Sequence, residues 1–104
     1  MEGPLVSVIT PSYNQGQYIS SNIESVRNQS YDRTEHIVVD AGSDDETMEI
    51  IKQYDHLRWI SEPDQGQADA INKGIEMASG DVVTWLNTDD LYVSTETIEA
   101  AVDT

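Results

Sequence analysis

Asp89 and Asp90 stand side by side at the end of Trp85-Leu86-Asn87-Thr88-Asp89-Asp90, directly after an apolar run that begins at Val82. Carboxylates are hard oxygen donors, and a magnesium-type cation takes one or two of them together with phosphate oxygens of a substrate. Of two adjacent carboxylates at a strand end, whose side chains diverge, one is expected to meet a metal and the other a hydroxyl. The run itself, Asp81-Val82-Val83-Thr84-Trp85-Leu86, has the continuous apolar character of a central strand buried on both faces of a parallel sheet. Open α/β sheets take their ligands in the crevice outside the carboxyl ends of such strands, so the pair is expected to face a ligand. A polar turn before a helix is the competing reading, because Asp and Asn are ordinary turn residues.

The elements that would position this pair follow from periodicity. Leu5-Val6-Ser7-Val8-Ile9-Thr10 is a β-rich run expected to stop at Pro11, which lacks the N–H a central strand needs. Asn14 and Gln17 form a capping-box pattern for a helix over residues 16–28, with Ile19, Ile23 and Val26 at helical spacing. His36-Ile37-Val38-Val39-Asp40 is a second strand that ends in a carboxylate. Ser43 and Glu46 repeat the capping pattern ahead of Met48, Ile51 and Tyr54. A short third strand, Leu57-Arg58-Trp59-Ile60-Ser61, closes in the turn-rich loop Glu62-Pro63-Asp64-Gln65-Gly66. The third helix carries Ile71, Gly74, Ile75 and Ala78 on one stripe, and Ser79-Gly80 supplies a glycine stop at positive φ. After the strand that leads to the Asp pair, Ser94 is expected to cap a last helix bearing Ile98, Ala101 and Val102.

Alternating strands and helices imply right-handed crossovers and a Rossmann-like three-layer α/β/α domain with a mainly parallel sheet in the order 3-2-1-4. Strands one and four are then neighbours, beside a topological switch point. Three polar strand ends, residues 11–14, Asp40 and Asp89-Asp90, converge on one edge of the sheet, which favours a ligand site over scattered turns.

Charge narrows the ligand. With 5 basic and 20 acidic residues the net charge is −15, so the basic footprint that nucleic acid or an anionic membrane requires is absent. A phosphorylated ligand could bind so acidic a chain only through placed backbone N–H groups or a bridging divalent cation. No apolar run approaches the length of a membrane span, and no basic and apolar leader opens the sequence. The absence of cysteine excludes disulfides and thiolate metal sites, and a reducing, cytoplasmic setting is expected.

Asp40 is placed to accept from a base N–H or a sugar hydroxyl, or else to shape the turn toward the next helix. Thr10, Tyr13 and Asn14 offer a hydroxyl, a ring and an amide at the neighbouring strand end. No GxxxxGK[ST] or GxGxxG cradle and no GxSxG elbow exists. Asp45 occupies the position where a calcium loop beginning at Asp40 needs glycine. His36 and His56 lack metal-ligand spacing and are expected to be structural, and Trp59 and Trp85, inside strands, are expected in the core.

Four segments in this order resemble the family 2 glycosyltransferases of GT-A fold. They are Val6-Ser7-Val8-Ile9-Thr10-Pro11-Ser12-Tyr13-Asn14, Ser25-Val26-Arg27-Asn28-Gln29-Ser30-Tyr31, Val38-Val39-Asp40-Ala41-Gly42-Ser43-Asp44-Asp45-Glu46-Thr47, and Ala78-Ser79-Gly80-Asp81 running into Asn87-Thr88-Asp89-Asp90. The resemblance covers nearly the whole chain from Pro4 to Thr104. It implies that Thr10, Pro11, Tyr13, Asn14 and Asp40 hold the nucleotide, that Asp89 approaches the ribose, and that Asp90 ligates Mg2+ or Mn2+ bridging a diphosphate, with Asp89 beside it.

Two departures matter. Asn87 stands where many relatives have the first Asp of a DxD signature. Ala70-Ile71-Asn72 replaces the relatives' Ala-Arg-Asn, so Asn72 or Lys73 is the candidate substitute for the missing Arg. The implied activity is metal-dependent transfer, with inversion, from a nucleotide-diphosphate sugar, of UDP type first, to the hydroxyl of a saccharide or lipid-linked saccharide. Residues 1–104 would be the N-terminal donor-binding portion, with the acceptor-binding half and the general base beyond Thr104. The parent protein would work in the cytoplasm, at the membrane face if anchored. Apolar surface left uncovered on such a portion would favour self-association. The rivals are a receiver-like phosphorylation domain, whose acidic pair should follow the first strand, and a non-catalytic α/β nucleotide-binding or interaction module.

Overall fold

The computed structural model describes residues 3–88 together with Ile98 and Val102. Its elements are β1 (Val6–Ser12), α1 (Gly16–Arg27), β2 (Thr34–Asp40), α2 (Thr47–Ile51), β3 (Arg58–Ser61), α3 (Gln67–Met77) and β4 (Val82–Trp85). All three strand pairings are parallel, and the sheet order is β3-β2-β1-β4, as the alternation predicts. Asp89 and Asp90 lie outside the described residues, as do Ser94 and Ala101.

Period-two alternation divides the core between the two faces of the sheet. On one face Val8 packs with Val26 of α1 and Tyr31, and Val38 packs with Ile19 and Ile23 of α1 and Ile51 of α2. Ile9, Ile37 and Val39 face α3, where Ala70 packs. Each such fully buried side chain stabilises the fold by roughly 1.5–3 kcal/mol relative to exposure. Ile98 and Val102 pack on the β1 cluster beside Val6 and Val26.

Several local expectations are corrected. Pro11 does not stop β1, which runs to Ser12. The Ile9 carbonyl accepts from Leu86 on the β4 side, and the Ser12 carbonyl accepts from Ala41 on the β2 side. By alternation the ring nitrogen of Pro11 faces the β4 side, where strand pairing has ended at Ile9 and Trp85, so no ladder bond is lost. On α3 the buried positions are Ala70 and Gly74, while Ile75 is half exposed. Gly74 is required by contact: a Cβ there would stand 2.5 Å from Ile9 Cγ2. Gly80 does not act through positive φ, which occurs at Gly3, Gly42 and Gly66. A Cβ on Gly80 would instead come within 2.7 Å of the Leu5 carbonyl, so this glycine lets the chain enter β4 against β1.

The run into Asp89 is not a strand buried on both faces. β4 is an edge of the described sheet, and Val82, Val83 and Trp85 are 43%, 41% and 56% exposed. Trp59, on the opposite edge strand, is also exposed, so neither tryptophan is core. No helix among the described residues is long and apolar enough to cross a membrane.

Candidate functional site

A cavity of about 670 Å3 opens at the carboxyl ends of β1 and β4, bounded by the loop that enters α3. Pro11, Ser12 and Tyr13 line it from β1, Gly66, Gln67 and Ala70 from α3 and the turn before it, and Asn87 and Thr88 from the end of β4. This is the switch-point crevice of an open parallel sheet. Tyr13 presents a half-exposed ring. Ser12 is 5% exposed, and its Oγ has no hydrogen-bond partner among the described residues. A buried hydroxyl left unpaired costs about 1–3 kcal/mol, which a ligand or an ordered water at the cavity wall would offset.

The turn that leads toward the Asp pair is tied to three elements. Thr88 Oγ1 donates to the Pro11 carbonyl at 2.5 Å, Gln67 Nε2 donates to Asn87 Oδ1 at 2.9 Å, and Asn22 Nδ2 donates to the Asn87 carbonyl at 3.0 Å. Among the described residues no group of three or more His, Asp or Glu side chains could hold a metal.

The neighbouring strand end has a different character. Asp40 has no accessible surface, and its carboxylate accepts from Gly42 N–H at 3.0 Å, Ser43 N–H at 2.7 Å, Ser43 Oγ at 2.5 Å and Ser61 Oγ at 2.9 Å. Gly42, at φ 90°, supplies the left-handed turn that brings those N–H groups back onto it. Asp40 therefore organises its loop and does not line the cavity.

Asn14 and Ser43 are also not the helix caps their spacing predicts. Asn14, at φ 49°, donates its N–H to Ser43 Oγ and accepts from the Asp44 N–H, so it ties the two loops together. The first N–H groups of α1 are satisfied from a distance: Gly16 donates to Asp45 Oδ2, and Gln15 donates to Thr47 Oγ1. Thr47's hydroxyl bond leads the causes that hold the Asp45 carboxyl below its ordinary value, with the Gly16 N–H adding to it.

Thr10 has no accessible surface and binds His36 Nε2 and Asn22 Oδ1 instead of facing the cavity. Burial pushes the His36 imidazole down to about 3, and the nearby His56 charge adds to that. His36 is structural, as its spacing predicts. Lys73 Nζ donates to the Pro63 carbonyl at 3.2 Å and pairs with Glu62 and Asp69, and Asn72 is exposed, so neither reaches the cavity lining. Of the predicted residues, the structure brings Pro11 and Tyr13 to the cavity, sets Asn14 behind it and takes Thr10, Asp40, Asn72 and Lys73 away. Ser12, within the same predicted strand end, lines the cavity as well, and the structure adds Gln67 in its wall and Asn22 behind Asn87. Asn22 left a signal in the sequence: it is the one polar position in the i, i+3, i+4, i+7 stripe of Ile19, Asn22, Ile23 and Val26.

Comparison with known proteins identifies the family. Residues 7–104 match the family described as glycosyl transferase family 2. The chain belongs to that family. This family 2 member is 40% identical over 103 residues to an uncharacterized glycosyltransferase of Mycobacterium tuberculosis, covering 96% of this chain and 39% of that protein. It is 44% identical over 95 residues to the putative teichuronic acid biosynthesis glycosyltransferase TuaG of Bacillus subtilis, covering 86% of this chain and 37% of TuaG. The chain thus spans about two fifths of the length of these curated relatives. Its structure matches a mannosyltransferase from Pyrobaculum calidifontis in complex with GDP-Man and Mn2+ at TM-score 0.90 and 29% identity, over 98% of this chain and 32% of that one. It matches S. aureus TarS in complex with UDP-GlcNAc at TM-score 0.83 and 30% identity, over 94% and 30%. The fold of this family 2 glycosyltransferase chain is therefore of GT-A type, with the parallel order 3-2-1-4.

Proposed function

We propose that this chain is the donor-nucleotide-binding portion of an inverting glycosyltransferase that uses a nucleoside-diphosphate sugar and a divalent cation. The observation that carries the reading is the cavity at the carboxyl ends of β1 and β4, walled by Pro11, the Ser12 hydroxyl that has no partner among the described residues, and the open Tyr13 ring. A base stacks on Tyr13 and offers its polar edge to Ser12. Asn87 and Thr88 line the same cavity, so the chain passes from there directly into Asp89 and Asp90. Asp89 takes the ribose hydroxyl. Asn87 is neutral and its side-chain carbonyl accepts from Gln67, so the carboxylates of Asp90, with Asp89 beside it, would be the protein's oxygen donors to Mg2+ or Mn2+. Such a cation neutralises a leaving diphosphate, which a chain of net charge −15 needs.

Asp40 keeps its implied contact to the base in a second role only if a ligand exchanges with Ser61 or Ser43. The general base that deprotonates the acceptor hydroxyl belongs to the part of the relatives that this chain does not match. Structures of similar proteins with GDP-Man and with UDP-GlcNAc support a nucleotide-sugar donor, and the name of TuaG, a putative teichuronic acid biosynthesis glycosyltransferase, favours a polysaccharide as product. A cytoplasmic setting suits a cysteine-free chain that would draw on nucleotide sugars.

Calorimetric titration of UDP and GDP into this chain, with and without Mn2+, tests the proposal. Binding that tightens roughly tenfold or more with metal, and loses that gain in Asp90→Ala, is expected. No binding of either nucleotide, or an Asp90→Ala chain that binds like the parent, would sink it.

A further inference from the structure

Asn22 lies in the apolar stripe of α1 between core residues Ile19 and Ile23 and has no accessible surface. A buried amide is tolerated only when both of its ends are paired. Its Oδ1 accepts from Thr10 Oγ1 at 3.3 Å, and its Nδ2 donates to the Asn87 carbonyl at 3.0 Å. Thr10 Oγ1 also stands 2.7 Å from His36 Nε2. A hydroxyl carries one proton, and with that of Thr10 given to Asn22 the His36 Nε2 is the donor to Thr10. That arrangement corresponds to the Nε2–H tautomer of His36, whose Nδ1 has no partner among the described residues. The amide orientation of Asn22 is equally fixed, because the Asn87 carbonyl can only accept.

We propose that Asn22, braced by Thr10 and His36, is a positioning residue of the donor site. It holds the Asn87-Thr88 turn, from which Asp89 and Asp90 follow in sequence. The inference rests on the donor-site reading above. None of the three relay residues lines the cavity, so the effect runs through Asn87, which does. Of the two amide bonds on Asn87, the one from Gln67 is exposed and competes with water, whereas the one from Asn22 is partly buried. Register, not charge, is what the relay supplies: it anchors the turn to α1 across the sheet face, as Thr88 anchors it to β1 through the Pro11 carbonyl.

Asn22→Leu removes both amide ends at nearly constant volume, and Asn22→Ser is a milder variant should the first fail to fold. In the ligand-free chain, 15N relaxation at Asn87 and Thr88 should fall from rigid order parameters near about 0.85 toward about 0.6 or below. The tightening that Mn2+ gives to UDP or GDP binding should drop roughly tenfold, while metal-free affinity stays within about twofold. Thr10→Val should do less, because it leaves the Asn22-to-Asn87 bond in place. Unchanged order parameters in a folded Asn22 variant overturn the proposal, and so does a loosened turn that keeps the full metal-dependent gain. A parent chain that binds no nucleoside diphosphate overturns the donor-site reading instead, and the order parameters then still decide whether Asn22 holds the turn.

Discussion

Ser12 and Asp40 are register partners on adjacent strands, yet their polar atoms meet opposite fates. The end of β2 is closed: four donors saturate the Asp40 carboxylate, and Asn14 laces its loop to the start of α1. The end of β1 is open, with a buried Ser12 hydroxyl that nothing described satisfies and a Tyr13 ring that is 54% exposed. Both ends carry residues whose types could bind a ligand. Only one has hydrogen-bonding capacity left over, and that residual capacity, more than polarity itself, marks where a ligand goes.

Substitution should separate the two ends most sharply at Asp40. Asp40→Ala removes the fully buried acceptor of two N–H groups and two hydroxyls in a partly exposed loop, so a loss of about 3–4 kcal/mol in urea unfolding is expected. A loss below about 1 kcal/mol would mean that the loop does not depend on the carboxylate and would restore Asp40 as a free ligand contact. Gly74→Ala strikes the floor beneath the open end, since its Cβ would meet Ile9 Cγ2 at 2.5 Å and Cγ1 at 2.9 Å. Ile9 is fully buried and cannot yield cheaply, so about 3 kcal/mol, the upper part of the overpacking range, should be lost.

Acid distinguishes the regions by window. His36, down at about 3, and His56, lowered by burial, with the Arg27 charge adding to it, both bind protons more readily when the chain is unfolded. Their contribution is therefore intact above the ordinary histidine value and declines as pH falls below about 6.5. Asp45 has the same sign in a lower window: its lowered carboxyl contributes above the ordinary carboxylate value, and that contribution is lost as pH falls from there through its folded value. Burial raises Glu35, but Ser7, the Ser79 N–H and Arg58 together hold it below its ordinary value, which puts it in the same acid window as Asp45. A stability loss of about 2 kcal/mol between pH 7 and 5, much reduced in His36→Asn, would assign the upper window to the relay behind the open end. A flat profile over that range would show that His36 is not held neutral.

The parallel order and the three-layer build were legible because alternation and apolar runs carry them. What those runs do not encode is coverage. Val38 and Val83 look alike in sequence, but one lies between two helices and the other on an edge strand. Capping patterns misled for a related reason: the oxygens of Asn14 and Ser43 found partners about thirty positions apart in sequence, which local spacing cannot register. Thr10 sits within the motif that carries the resemblance, but alternation turns it to the α1 face, toward His36 and Asn22.

The smallest effect on stability should come from Ser12→Ala, and its sign is the informative part. Removing a buried hydroxyl that has no partner among the described residues deletes a desolvation cost without orphaning any of their groups, so stability should stay level or rise by up to about 1 kcal/mol. Nucleotide affinity should fall by roughly five- to tenfold if a base or sugar atom completes that hydroxyl's hydrogen bond. Paired with Asp40→Ala, the change makes two register neighbours respond in opposite ways: one loses the fold, the other loses only the ligand. Should Ser12→Ala instead destabilise the chain by more than about 1 kcal/mol with binding intact, Ser12 Oγ is held by an ordered water that belongs to the fold, and the open end is as closed as its neighbour.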